Sequence, residues 1–129
     1  MSFSHRKGFF IFLLFVVCII ACKSEIELSS GIEGQVIRGP IKGGPEIIGE
    51  VNQEPFSALF HVKDPTKKTV KSFVSDENGE FKIQLPPGEY YIVPDISAPL
   101  IMPSTQNKKV IVSKDFFSYH VFYFDTGIR

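Results

Sequence analysis

Between Ser75 and Val93 apolar and polar side chains alternate in short runs separated by turn residues. Phe81, Ile83 and Leu85 interleave with Glu80, Lys82 and Gln84, and Pro87-Gly88 then redirects the chain into Tyr90-Tyr91-Ile92-Val93. A period of two places one set of side chains on the buried face of a strand. Asp76, Asn78 and Gly79 supply the preceding turn. An aspartate there accepts the amide two residues on, and glycine adopts the positive φ of a type I turn with a G1 bulge. The spacing predicts consecutive hairpins over 75–93. Strands this short are not stable alone in water, so the rest of the chain must complete a sheet around them.

The remaining pattern supplies those strands. Ile32, Val36 and Ile37 mark a first strand over 31–39, which Gly34 is expected to weaken or bulge. Residues 40–55 carry Pro40, Gly43, Gly44, Pro45, Gly49 and Pro55, with Ile47, Ile48 and Val51 expected to pin the loop down. Loops of this length often carry function, although covering the open end of a sandwich would also account for it. Phe56, Ala58, Phe60 and Val62 face one way, and Ser57, Leu59 and His61 the other. Residues 69–75 return with Phe73 as their large apolar anchor.

Three prolines, Pro94, Pro99 and Pro103, keep 94–107 out of a central strand, with Leu100, Ile101 and Met102 tucked beneath. Val110 and Val112 share a face in 108–113, and 116–125 is the last and most aromatic strand. A helical period is nowhere sustained over three turns. About seven short strands punctuated by Gly and Pro predict an all-β fold, an antiparallel β-sandwich.

The first 21 residues have a different pattern and are read as a leader outside the fold. Arg6 and Lys7 form a positive start, and 9–20 is an apolar run short for a membrane span. Ile19-Ile20-Ala21-Cys22 resembles the bacterial lipobox, in which the cysteine is lipidated and becomes the first residue of the mature chain. The alternative is an ordinary thiol behind a plain secretory signal or a short anchor. With acyl groups such as palmitate on Cys22, and Cys18 discarded, no cysteine remains for a disulfide. Two acyl chains suffice for stable membrane anchoring, at about 0.8 kcal/mol per buried methylene. Residues 22–30 then form the lipidated cysteine and a polar tether, leaving 31–129 as the domain. The eight tether residues after Cys22 span at most about 28 Å, which keeps the domain near the bilayer. Lys23, Glu25 and Glu27 in that tether are read as solvated linker, or as a sorting signal for surface export.

Composition narrows the partners. Setting aside Arg6 and Lys7, twelve basic side chains stand against fourteen acidic ones, scattered along the chain. That balance points away from nucleic acid and gives no electrostatic patch for an anionic surface. A chain of this size holds one domain.

Several segments resemble the bacterial secreted and lipid-anchored domains related to the carboxypeptidase regulatory-like, or transthyretin-like, β-sandwich. The residues carrying the likeness are Gly31-Ile32-Glu33-Gly34 with Gly39-Pro40, Pro55-Phe56 with Ala58, Asp76 with Gly79 and Phe81, Leu85-Pro86-Pro87-Gly88 with Tyr90, and Asp125-Thr126-Gly127-Ile128-Arg129. The resemblance implies a Greek-key sandwich of seven or eight strands that serves as an accessory, structural or binding module, without a shared catalytic residue. It also implies that His120, Phe122 and Phe124 face inward and Tyr119 and Tyr123 outward. Cysteines that some relatives carry after the first strand are missing, which leaves that loop free of a disulfide.

Candidate chemistry is sparse. Asp125-Thr126-Gly127 has the form of a homodimeric aspartic protease motif, whose paired aspartates share a proton. Only two residues follow it, whereas such a protease builds its flap and cleft from later chain; a strand-end turn with Arg129 pairing Asp125 is preferred. Asp76, Asn78 and Glu80 imitate the start of a calcium loop, but Phe81 and Pro87 occupy the positions that need glycine and a bidentate acid. His61 and His120 lack local partners at zinc-ligand spacing, so His61 is read as a solvent-facing strand residue and His120 as semi-buried. The parts for nucleophilic or metal-dependent catalysis are missing. No enzyme activity, metal or cofactor is expected.

What remains is a binding surface. Tyr119, Val121 and Tyr123 form an aromatic stripe on the last strand that either docks a partner, such as another envelope protein, or packs under a loop. Glu46, Glu50 and Glu54 make the 40–55 loop the second candidate surface. The favoured expectation is a non-catalytic, lipid-anchored cell-envelope module with its domain outside the cytoplasm. The alternative is a small envelope hydrolase or ligand-binding protein that uses the 40–55 loop.

Overall fold

A computed structural model describes residues 29–129. Cys22, the expected leader and most of the expected tether lie outside these described residues. Eight strands run in chain order: β1 Gly31–Gly39, β2 Glu54–Pro55, β3 Leu59–Lys63, β4 Thr69–Val74, β5 Glu80–Gln84, β6 Gly88–Pro94, β7 Lys108–Val112 and β8 Phe117–Asp125. A short 3-10 turn, Pro103–Thr105, precedes β7. The strands make two four-stranded sheets, one holding β2, β1, β5 and β8, the other ordered β4-β3-β6-β7. This is the expected β-sandwich, with one parallel pair in it, β1 with β8.

The core is the set of inward positions that alternation marked out. Ile32, Val36, Phe60, Val62, Ile83, Ile92, Val110 and Val112 are buried between the sheets. A run of aromatic contacts crosses the interior: Phe56 and Phe73 pack on Phe60, Phe73 stacks on Phe81 at 4.8 Å, and Phe81 stacks on Phe122 at 6.0 Å. Phe60 is fully buried at the centre and also meets Phe124 at 5.6 Å. Phe73 is the sole buried residue of β4, as its sequence implied.

The 75–93 segment departs from the hairpin expectation. β4 and β6 belong to one sheet and β5 to the other, so both turns carry the chain across the sandwich. The local turn chemistry is as read: the Asp76 carboxylate accepts the Asn78 and Glu80 amides, and Gly79 has φ of 72°. Long-range pairing decides the rest, because β5 finds β1, with Gly31 opposite Gln84 through Gln35 opposite Glu80. Ser75 makes the crossing possible without a polar penalty. It is fully buried, its hydroxyl donates to the Phe56 carbonyl at 2.9 Å, and it accepts the Ala58 amide at 3.0 Å. At the second crossing the Tyr90 hydroxyl donates to the Pro86 carbonyl at 2.7 Å, a tyrosine-corner arrangement.

Gly34 does not bulge β1; its ladder with β5 and β8 is continuous through that residue. Ser30 is buried and its hydroxyl donates to the Leu85 carbonyl at 2.6 Å, so contact between these segments extends one residue ahead of β1. Of the 100–102 trio, Leu100 alone packs on the core, while Ile101 and Met102 are exposed. Ile47, Ile48 and Val51 are likewise exposed and pin nothing. Polar ties hold the 40–55 loop instead: the Asn52 side-chain carbonyl accepts the Ile41 and Lys42 amides, each at 2.9 Å, and Lys42 pairs with Glu50.

Candidate functional site

β8 is an edge strand, pairing only with β1 among the described residues. Alternation turns Phe122 and Phe124 into the core and leaves Tyr119, Val121 and Tyr123 outward, 65%, 40% and 56% exposed. His120 lies between these extremes, stacked on Phe122 at 5.4 Å with Nε2 2.8 Å from the Ser118 hydroxyl. Burial pushes the His120 pKa below its ordinary value. The stripe therefore stands in solvent, and the 94–107 segment does not cover it.

That segment closes the far end of the strand instead. The Gln106 side-chain amide donates to the Asp125 carbonyl at 2.9 Å and its oxygen accepts the Asp125 amide at 2.8 Å. A side chain thus imitates a neighbouring strand and ends the free edge. Beyond it, Asp125 accepts the Gly127 amide at 2.8 Å and pairs with Arg129 at 3.2 Å. The guanidinium, with help from the Gly127 amide, holds the Asp125 carboxyl below the usual carboxylate range. Asp125 is engaged as the strand-end turn required.

The three loop carboxylates do not converge. Glu54 is in β2 and pairs with Arg38 at 2.6 Å, and Glu50 pairs with Lys42. Glu46 lines a shallow cleft of about 390 Å³ together with Pro40, Asn52, Gln53 and Tyr123. The fold therefore brings one loop acid, Glu46, to the same recess as one stripe residue, Tyr123, and directs the other two acids to cationic partners.

Sequence reasoning missed the surroundings of His61. The ring lies half-buried on the outer face of the second sheet, with Nδ1 2.9 Å from the Ser72 hydroxyl and Nε2 2.7 Å from the Asp95 carboxylate. Ser72 is its cross-strand neighbour on β4, and Asp95 follows β6. The Ser97 hydroxyl donates to the other Asp95 oxygen at 2.6 Å. Ser97 first and His61 second hold the Asp95 carboxyl far below its ordinary pKa. A recess of about 460 Å³ lies on the same face, lined by Lys63, Lys67, Tyr91, Val93 and Asn107. The Asp–Ser spacing in 95–97 signals a local Asx turn, but nothing local could reveal the cross-strand histidine.

Among the described residues, no three His, Cys, Asp or Glu side chains are grouped to hold a metal ion. No helix there is long and apolar enough to cross a membrane. No protein-family model matches the chain, and no curated protein matches it. Among solved structures it is similar to the Bacillus anthracis TIE protein, at 18% identity and a TM-score of 0.46. The match covers 72% of this chain and 16% of that one, so this chain corresponds to a small part of that protein's length. A likeness at that level carries no inference about fold, ligand or partner.

Proposed function

We propose that the protein is a non-catalytic binding module of the bacterial cell envelope, held at a membrane by acyl chains on Cys22. In this reading the domain stands outside the cytoplasm, belongs with the carboxypeptidase regulatory-like and transthyretin-like sandwiches, and presents the outer face of β8 to a protein partner. The observation carrying it is the exposed Tyr119, Val121 and Tyr123 stripe on an edge strand. Tyrosine offers a large contact area at little conformational cost, which is why it is enriched where proteins meet. The lipobox-like Ile19-Ile20-Ala21-Cys22 supports the tether.

A second reading is a small envelope hydrolase or ligand-binding protein working from the 40–55 loop. The cleft shared by Glu46 and Tyr123 favours ligand binding within that pair of options, because the acids a hydrolase would combine are separated into different ion pairs.

Two measurements test the proposal. Replacing Cys22→Ser should move the protein from the membrane fraction to the soluble one, and unchanged fractionation counts against the tether. Affinity capture of the lipidated protein should recover an envelope partner that a Tyr119→Ser, Tyr123→Ser double variant fails to recover. Equal capture by both forms would remove β8 from the binding surface.

A further inference from the structure

We infer that β8 is a self-pairing edge, at which two copies of this chain join antiparallel about a two-fold axis through Val121. At one end of the strand the Gly31 amide donates to the Phe116 carbonyl at 3.1 Å, and at the other the Thr126 amide donates to the Gly39 carbonyl at 3.0 Å. Even-numbered residues thus bond to β1. By the two-residue period of a strand, the backbone groups of Phe117, Tyr119, Val121, Tyr123 and Asp125 point to the open edge. Gln106 occupies the groups of Asp125. The amides and carbonyls of Tyr119, Val121 and Tyr123 have no strand beside them among the described residues.

Exposed edges invite pairing, and proteins guard them with lysine, proline or very short strands. The other edges here are guarded in this way: β4 carries Lys71, β5 Lys82, β7 Lys108 and Lys109, and β2 is two residues long and ends in Pro55. From Phe117 to Phe124, β8 contains no Lys, Arg, Asp, Glu or Pro. Among the described residues, the absence of these guards is confined to one edge.

The outward sequence also reads the same in both directions, tyrosine, valine, tyrosine. About an axis at Val121, Tyr119 of each copy stands opposite Tyr123 of the other and the two valines meet, so no charge opposes a like charge. Aromatic cross-strand pairs of this kind stabilise a sheet, whereas like charges directly opposite weaken it. Pairing would merge the two β8-containing sheets into one eight-stranded sheet by an isologous contact. This surface needs neither the leader nor the acyl group, so the inference stands whether or not Cys22 is modified.

The test uses the full chain in detergent micelles. Sedimentation velocity should find the wild-type chain dimeric, and Val121→Lys and Val121→Glu, each alone, should weaken association at least tenfold. An equimolar mixture of the two should regain a mixed dimer, because lysine then faces glutamate across the axis. A monomeric wild type, variants that associate like wild type through some other segment, or folded variants that fail to recombine would each overturn the inference. Amide exchange on the unaltered protein gives an independent readout. Tyr119, Val121 and Tyr123 should become protected as concentration rises, and concentration-independent exchange there would overturn it as well.

Discussion

A β-carbon built on Gly34 falls 1.8 Å from the carbonyl oxygen of His120, closer than any two such atoms can approach. The strand containing Gly34 is sandwiched edge to edge between β5 and β8, so neither neighbour can yield without breaking a ladder. Gly34 is there for close approach of backbones and not for a bulge. Gly34→Ala should cost roughly 3 kcal/mol or more, at the upper end of single-residue effects, measured by urea unfolding. A loss under about 1 kcal/mol would mean that β8 is not held against β1 as described.

Gln106 closes the end of β8 through paired hydrogen bonds to Asp125. Gln106→Ala leaves that amide and carbonyl without this partner, and the cost should be about 1–3 kcal/mol in equilibrium unfolding. Hydrogen exchange should quicken at Asp125 before it quickens in the centre of β1.

Ser75 is the buried polar residue at the crossing from β4 to β5. Ser75→Ala removes the hydroxyl that serves the Phe56 carbonyl and the Ala58 amide, and should cost about 1–3 kcal/mol by thermal or urea unfolding. Ser57→Ala removes one exposed hydroxyl whose bond goes to the Ser75 carbonyl, and should cost less.

The Asp95 carboxyl, held low by Ser97 and then by His61, gives a pH dependence with a definite sign. Its folded pKa is depressed, so the ionised group stabilises the fold above the unfolded value of about 4. As pH falls below that value the unfolded chain takes up the proton first, and the stabilisation is lost towards the folded pKa. The stability difference between wild type and Asp95→Asn should therefore shrink between about pH 5 and pH 3. A constant difference over that window would show that the carboxylate is not selectively stabilised in the fold.

Alternation alone located most of the core. Phe60 and Val62, and Val110 and Val112, face inward because the strand period requires it, whereas the inward placement of Phe122 and Phe124 came from the family resemblance. Gly79 could be read because its turn needs a positive φ that the sequence signals locally. The sheet to which each strand belongs could not be read in the same way. A hairpin turn and a crossing turn draw on the same Asp, Asn, Gly and Pro, and the distinction lies in which distant strand β5 meets. The same limit hid Ser72 and Asp95 from His61, since register across strands is a long-range property. In the 40–55 loop, exposed isoleucines suggested an apolar anchor, yet Asn52 and the Lys42–Glu50 pair do the holding. Tyr119 and Tyr123 were legible as outward residues, but their exposure depended on where the 94–107 segment ran, which only the Gln106 contacts reveal.

The proposed membrane anchor is a single covalent modification at Cys22, and mass spectrometry of the amino-terminal peptide from protein made in a bacterial host tests it most directly. Acylation at Cys22 predicts a peptide that begins at that residue and carries the mass of two or three acyl chains. A chain that retains the residues before Cys22, or that begins elsewhere with an unmodified Cys22 thiol, would contradict it.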